Sequence, residues 1–213
     1  MPLEPTSTAN PRPSANSGAS GAAIWTIEHG GTDLHGIGDR SILNHRCLGL
    51  ICSVQCPGSV VIKTFDAIRE LRDAGIVVAG GFHSPMEKEC LDFLLRGKQP
   101  VIICPAKGLG RPRIPAPWHD AIDAGRLLIV SPFDPARKRT TKEQAQTRNE
   151  FVAKLAAAVL VPHASPGGKA EAVARQVLKC GKPLFTFDDD ANGGLLKLGI
   201  RAYCIDEMNF IRS

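Results

Sequence analysis

The stretch Thr147–Phe187, TRNEFVAKLAAAVLVPHASPGGKAEAVARQVLKCGKPLFTF, constrains the fold most, because it reads without remainder as helix, strand, glycine turn, helix, strand. Phe151, Val152, Leu155 and Val159 fall at helical spacing, Ala157 to Pro162 is a short apolar strand, and Ser165-Pro166-Gly167-Gly168-Lys169 is a tight turn opening a second helix. Two such strands joined by a helix make one right-handed βαβ unit. In a parallel sheet that turn sits where phosphate binds: adjacent glycines let the backbone approach a ligand, and the unpaired N–H groups of the next helix's first turn point at it. Lys169 adds a charge at the mouth, and Arg148-Asn149, opening the preceding helix, would come to the same edge with Arg148 as a second phosphate donor. A Pro-Gly-Gly after a strand also serves as a plain short connector.

The rest of the chain alternates in the same way. Apolar runs at 47–52, 76–79, 100–104 and 126–130 read as strands, with a first short strand at 23–27 and a polar loop containing one helical turn from Leu34 to Asn44. One intervening helix carries Val61, Ile62, Phe65, Ile68 and Leu71 on a single face and ends at Gly75. The next opens with Ser84 as N-cap, Pro85 as first helical residue and Glu87 as the reciprocal capping-box acid. A short helix is expected around Trp118 to Ala124. The implied class is α/β, a Rossmann-like doubly wound, mainly parallel sheet with helices on both faces. Residues 1–22, rich in Pro and Ser with Glu4 and Arg12 as their only charges, read as a disordered tail, and residues 23–213 as a single domain.

The turns after the strands at 47–52, 76–79 and 157–162 should share one edge of that sheet. They would form a crevice lined by Ser53, Gly80, Gly81, His83, Ser84, Arg148, Asn149, Gly167, Gly168 and Lys169. The loop Pro132–Lys142 adds Arg137, Lys138 and Arg139, a charge run that suits phosphate contacts and equally suits a solvated surface. His83 beside a glycine turn is a candidate acid or base, or a capping group. Asp188-Asp189-Asp190 before Asn192-Gly193-Gly194 reads as an exposed turn or helix start rather than a cation site. The formal charge of +5 favours a polyanionic partner without demanding one. Seven cysteines without a Cys-x-x-Cys pair point to a reduced compartment. Cys52, Cys56 and His45 fit no zinc spacing, so no metal and no cofactor is expected. No apolar stretch is long enough to span a membrane and no signal peptide opens the chain, so the expectation is a cytoplasmic protein.

From about Trp25 to Gly194 the chain resembles the DNA-processing protein A family, also called Smf, within the Rossmann-like nucleotide-binding domains that include the lonely-guy phosphoribohydrolases. RNEFVAKL, from Arg148, looks like the family's RN-x-x-I-x-x-L segment. Ile76 to Gly81 looks like its second strand and glycine turn, and Gly181-Lys182-Pro183 like the Gly-Arg before its late strand. Where the family has Gly-Ser-Arg this chain has Cys52-Ser53-Val54, and where it has S-G-x-A-x-G-I-D this chain has AGGFHSPME, with His83, Ser84 and Glu87. No counterpart of the family's winged-helix module is expected. The resemblance implies single-stranded DNA binding in DNA uptake and recombination, with handover to a RecA-type recombinase. A homodimer stays open. The alternative is a small-nucleotide sensor or a phosphoribohydrolase-like enzyme; Pro166 to Glu171 lacks that group's Gly-Thr pair and brings Glu171 closer than its catalytic acid, and no catalytic pair is compelled. Aromatics for base stacking are few near the expected edge: Phe82, Trp118 and Phe133.

Overall fold

A computed structural model describes residues 23–110 and 113–211; the expected tail at 1–22 and Arg111 lie outside them. The strands are β1 (Trp25–His29), β2 (Thr32–Ile37), β3 (Cys47–Leu50), β4 (Val77–Gly80), β5 (Val101–Ile103), β6 (Leu127–Ser131), β7 (Ala158–Leu160), β8 (Leu184–Thr186) and β9 (Arg201–Ala202). The helices are α1 (Gly58–Asp73), α2 (Pro85–Leu95), α3 (Ala116–Asp123), α4 (Lys142–Leu155), α5 (Lys169–Lys179) and α6 (Gly193–Lys197). Among the described residues the strands form one sheet in the order β1-β2-β6-β5-β4-β3-β7-β8-β9. All neighbours are parallel except the β1–β2 hairpin and its junction with β6.

Strands β3 to β8 are buried at every residue, as continuous apolar runs covered on both faces must be. Successive side chains go to opposite sides. Leu48, Leu50, Val78, Ile103 and Ile129 pack with Ile68 and Leu71 of α1 and Leu91 and Leu94 of α2. Cys47, Val77, Ala79, Ile102 and Val130 pack with Val152 of α4, and Val173 and Val177 of α5. Burying each such aliphatic side chain stabilises by about 2 kcal/mol, so the two-sided core is the main source of stability.

The expected doubly wound sheet is therefore present, with three corrections to its parts. The stretch 34–44 is not all loop: β2 occupies its start, while the helical turn expected within it is present as a 3-10 turn, Arg40–Asn44. Its glycines look like loop punctuation, but the ring of Trp25 lies over Gly36, where a Cβ would fall 2.2 Å from Trp25 Cζ2, and Trp25 Nε1 donates to the Gly38 carbonyl at 2.8 Å. Helix α4 begins at Lys142, ahead of Thr147, because Thr141 and Gln144 form a capping box: Gln144 N donates to Thr141 Oγ1 at 3.2 Å and Thr141 N to Gln144 Oε1 at 2.8 Å. Val159 lies in β7, off that helix. The capping box expected at Ser84 and Glu87 is present, with Pro85 opening α2.

Going from β3, the chain winds outward through β4, β5 and β6 on one side; from β7 it winds outward through β8 and β9 on the other. The loops leaving the carboxyl ends of β3 and β7 therefore diverge, and a crevice opens between them, the usual ligand position in such sheets.

Candidate functional site

The two diverging loops are stitched at their base and part above it. Ile51 N donates to Leu160 O at 3.1 Å and Ser53 N to His163 O at 3.0 Å, while Ser53 Oγ accepts from Ser165 N at 2.9 Å. Above these bonds lies a cleft of about 630 Å³, walled by Ser53 and Val54 after β3, His83 after β4, Arg148 and Asn149 of α4, and Gly168 and Lys169 at the start of α5. The turn after β4 reaches it through Phe82, whose φ of +46° is the left-handed conformation that non-glycine residues rarely adopt. The Phe82 ring is buried, and His83 next to it is half-exposed at the cleft.

Arg148 is 2% exposed. Its guanidinium lies against the backbone of Gly81, where a Cβ would sit 1.3 Å from Nη1, so only glycine fits there. Nη2 is 3.2 Å from His83 Nδ1, Nη1 makes a long 3.5 Å contact with Cys104 O, and Nε has no partner among the described residues. Burial pulls the Arg148 pKa down while Glu87 pulls it up, and the net direction is downward. Glu87 is buried as well. Its Oε2 accepts from His83 N at 3.2 Å and Ser84 N at 3.0 Å and lies 2.8 Å from His83 Nδ1. Burial pushes the Glu87 carboxyl up, but the hydrogen bond and charge of His83, the Ser84 N–H and the Arg148 guanidinium outweigh it and hold the group below its ordinary value.

One nitrogen, His83 Nδ1, thus faces a carboxylate acceptor and a guanidinium donor. It either donates to Glu87 or accepts from Arg148, and cannot do both in one tautomer. The Arg148 guanidinium keeps unsatisfied N–H capacity in either case, which is costly for a buried cation. An anion seated in the cleft would supply the missing acceptor.

At the Pro-Gly-Gly turn the backbone donors are partly used up. Gly168 N donates to Ser165 O at 2.9 Å, and Gly167 N donates to the Glu171 carboxylate, which also holds Arg175 Nη2 at 2.6 Å. What remains for a ligand is the first turn of α5, which has no side-chain cap and whose Lys169 and Ala170 line the cleft. The Lys169 ammonium reaches across the mouth to the Lys142 carbonyl at the start of α4.

Of the residues expected at the crevice, Ser53, His83, Arg148, Asn149, Gly168 and Lys169 wall one cleft. Gly80 ends β4, Gly81 supports Arg148, Ser84 is buried as the α2 cap, and Gly167 stands at the turn tip. Arg137, Lys138 and Arg139 are exposed around an adjoining hollow that shares Thr141 with the cleft. Thr140, Thr141 and Lys142 also line the cleft; the T-x-x-Q cap signal at Thr141 could have placed them. Asp189 caps a 3-10 turn and pairs with Lys63 at 3.0 Å. Cys52 is buried and Cys56 half-buried, both as free thiols, and no group of three metal-ligating side chains occurs among the described residues. No described helix is long and apolar enough to cross a membrane.

A sequence profile for the family described as DNA recombination-mediator protein A matches residues 22–202. No curated protein matches the chain in sequence. Among solved structures, DNA processing protein A from Helicobacter pylori, described for its single-stranded DNA binding mode, superposes with a TM-score of 0.70 at 22% identity, over 88% of this chain and 94% of that one. DNA processing protein A from Streptococcus pneumoniae superposes with a TM-score of 0.67 at 17% identity over 80% of this chain, which spans 62% of that one. The molybdenum cofactor binding protein from Rippkaea orientalis gives 0.55 at 13% identity, over 79% of this chain and 98% of that one. At these identities the structural likenesses establish the fold.

Proposed function

The chain belongs to the DNA recombination-mediator protein A family, and from that premise we propose that it is a DNA-processing protein that binds single-stranded DNA by its phosphates at the carboxyl edge of the sheet. The observation that carries this reading is the buried Arg148, short of acceptors in a cleft whose other walls offer Ser53, Asn149, Lys169 and the first turn of α5. The exposed Arg137, Lys138 and Arg139 extend the positive surface beyond the cleft. In this reading the protein works in the cytoplasm on incoming single strands during DNA uptake and passes them to a RecA-type recombinase, and a homodimer would present two such edges.

A second reading, a small-nucleotide sensor, is favoured by the cleft's volume of about 630 Å³, within the range of small-molecule sites. A phosphoribohydrolase-like activity finds less support, since the Glu171 carboxylate is engaged by Gly167 N and Arg175. Binding of a labelled oligothymidine and a labelled mononucleotide across a salt series separates the readings. The DNA reading expects a steep log–log salt slope of about −0.7 per phosphate contact for the oligonucleotide and a shallow one for the mononucleotide. Mononucleotide binding without oligonucleotide binding at low salt would leave only the sensor.

A further inference from the structure

Beyond the cleft, two loops are locked together on the far side of Arg137–Arg139. The loop after β5 and the loop after β6 run alongside each other, with Gly108 N donating to Arg137 O at 2.8 Å and Gly110 N to Pro135 O at 3.0 Å. The approach is so close that a Cβ on Gly108 would sit 2.0 Å from Asp134 O. Ser131, buried at the end of β6, ties both loops at their root: its Oγ donates to Lys107 O at 2.8 Å and accepts from Phe133 N at 3.2 Å. Between the loops runs an open groove of about 650 Å³ edged by Lys107, Arg113 and Lys138. No acid lines it among the described residues, and none of the three cations is in an ion pair there. Ala136 and Lys138 belong both to this groove and to the hollow around Arg137 and Arg139, and that hollow shares Thr141 with the cleft. Cleft, hollow and groove thus adjoin one another in that order along the surface, each sharing rim residues with the next.

We propose that the Lys107–Arg113–Lys138 groove is a second phosphate-binding site, which takes the backbone of a polynucleotide strand whose neighbouring phosphates occupy the cleft. The proposal rests on the DNA reading of the cleft and adds a direction to it: the strand leaves the cleft over the Thr140–Arg137 loop and enters the groove. Lys107 projects from a backbone held by Ser131, so that backbone need not be ordered on meeting a phosphate, and each neutralised phosphate releases counterions. A mononucleotide is too short to reach the groove, so only the longer ligand can report it.

The test compares the wild-type protein, K107A/R113A and Gly108→Ala, each binding a long oligothymidine and a mononucleotide across a salt series, with thermal melts as a folding control. K107A/R113A is expected to melt like the wild type, to leave mononucleotide affinity unchanged and to flatten the oligonucleotide salt slope by about 1.4, two contacts at about 0.7 each. Gly108→Ala keeps every charge but forces the loops apart, and is expected to weaken the oligonucleotide several-fold with the mononucleotide unaffected. A wild type that binds the oligonucleotide, with slopes and affinities unchanged in both variants, overturns the groove and leaves the cleft reading standing. A wild type that binds no oligonucleotide at low salt overturns both.

Discussion

Arg148 and Arg137 lie on either side of the cap at Thr141, the first 2% exposed beneath Gly81 and the second in solvent. Around Arg148 each polar atom has a defined neighbour or a defined lack of one: His83 Nδ1 at 3.2 Å, Cys104 O at 3.5 Å, an orphan Nε, and buried Glu87 competing for the same His83 nitrogen. Around Arg137 only the backbone is fixed, through its carbonyl on Gly108 N and its own N–H on Asp134 O at 2.9 Å. A buried charge must be placed by the fold, because desolvation penalises every misplaced partner; an exposed one is solvated anywhere, so its placement costs little and contributes little to stability. The cleft is therefore a geometric site and the loop an electrostatic one. Changes in the first should affect folding and binding together, and changes in the second should affect binding through salt alone.

The most disruptive single change on this account is Arg148→Ala. It leaves Glu87 buried without the Arg148 guanidinium and empties the space against Gly81, so a loss of about 3 kcal/mol in urea unfolding is expected together with lost anion affinity. A variant as stable as the wild type would remove the contrast between the two regions. Gly81→Ala attacks the same contact from the other side. A methyl in place of the guanidinium's resting surface forces Arg148 aside, with an expected cost of about 2 kcal/mol and weakened oligonucleotide binding, read by thermal melts and anisotropy.

Acidification sharpens the comparison further. Glu87 is held below its ordinary value of 4.5 in the folded protein, so its contribution to stability is full above that pH and is lost as pH falls through the folded value. Glu87→Gln should therefore be less stable than the wild type at pH 7, by about 1–3 kcal/mol, with the gap narrowing as pH is lowered below 4.5. A gap that stays constant with pH would mean that the carboxylate's charge is not used. The smallest effect on stability belongs to the loop: changing Arg137, Lys138 and Arg139 together to Ala should shift stability by less than about 0.5 kcal/mol. The same triple change should flatten the oligonucleotide salt slope by about two and spare the mononucleotide.

The sequence by itself determined the layered α/β architecture, because short apolar runs separated by amphipathic helices can be buried in few other ways, and the Ser84–Glu87 cap and Gly75 stop were legible from local chemistry alone. It also brought the turns after β3, β4 and β7 to one edge, since parallel strands align their carboxyl ends. Only the tertiary structure decided how the residues at that edge are used. Gly81 reads in sequence as a phosphate turn and in space as the resting surface of Arg148; Gly167 reads as backbone open to a ligand, and its N–H is taken by Glu171 four residues on. Gly36 reads as a loop and is a strand residue under Trp25. In each case the deciding contact is made by a side chain whose reach and direction no local pattern encodes, and close packing leaves room for only one arrangement.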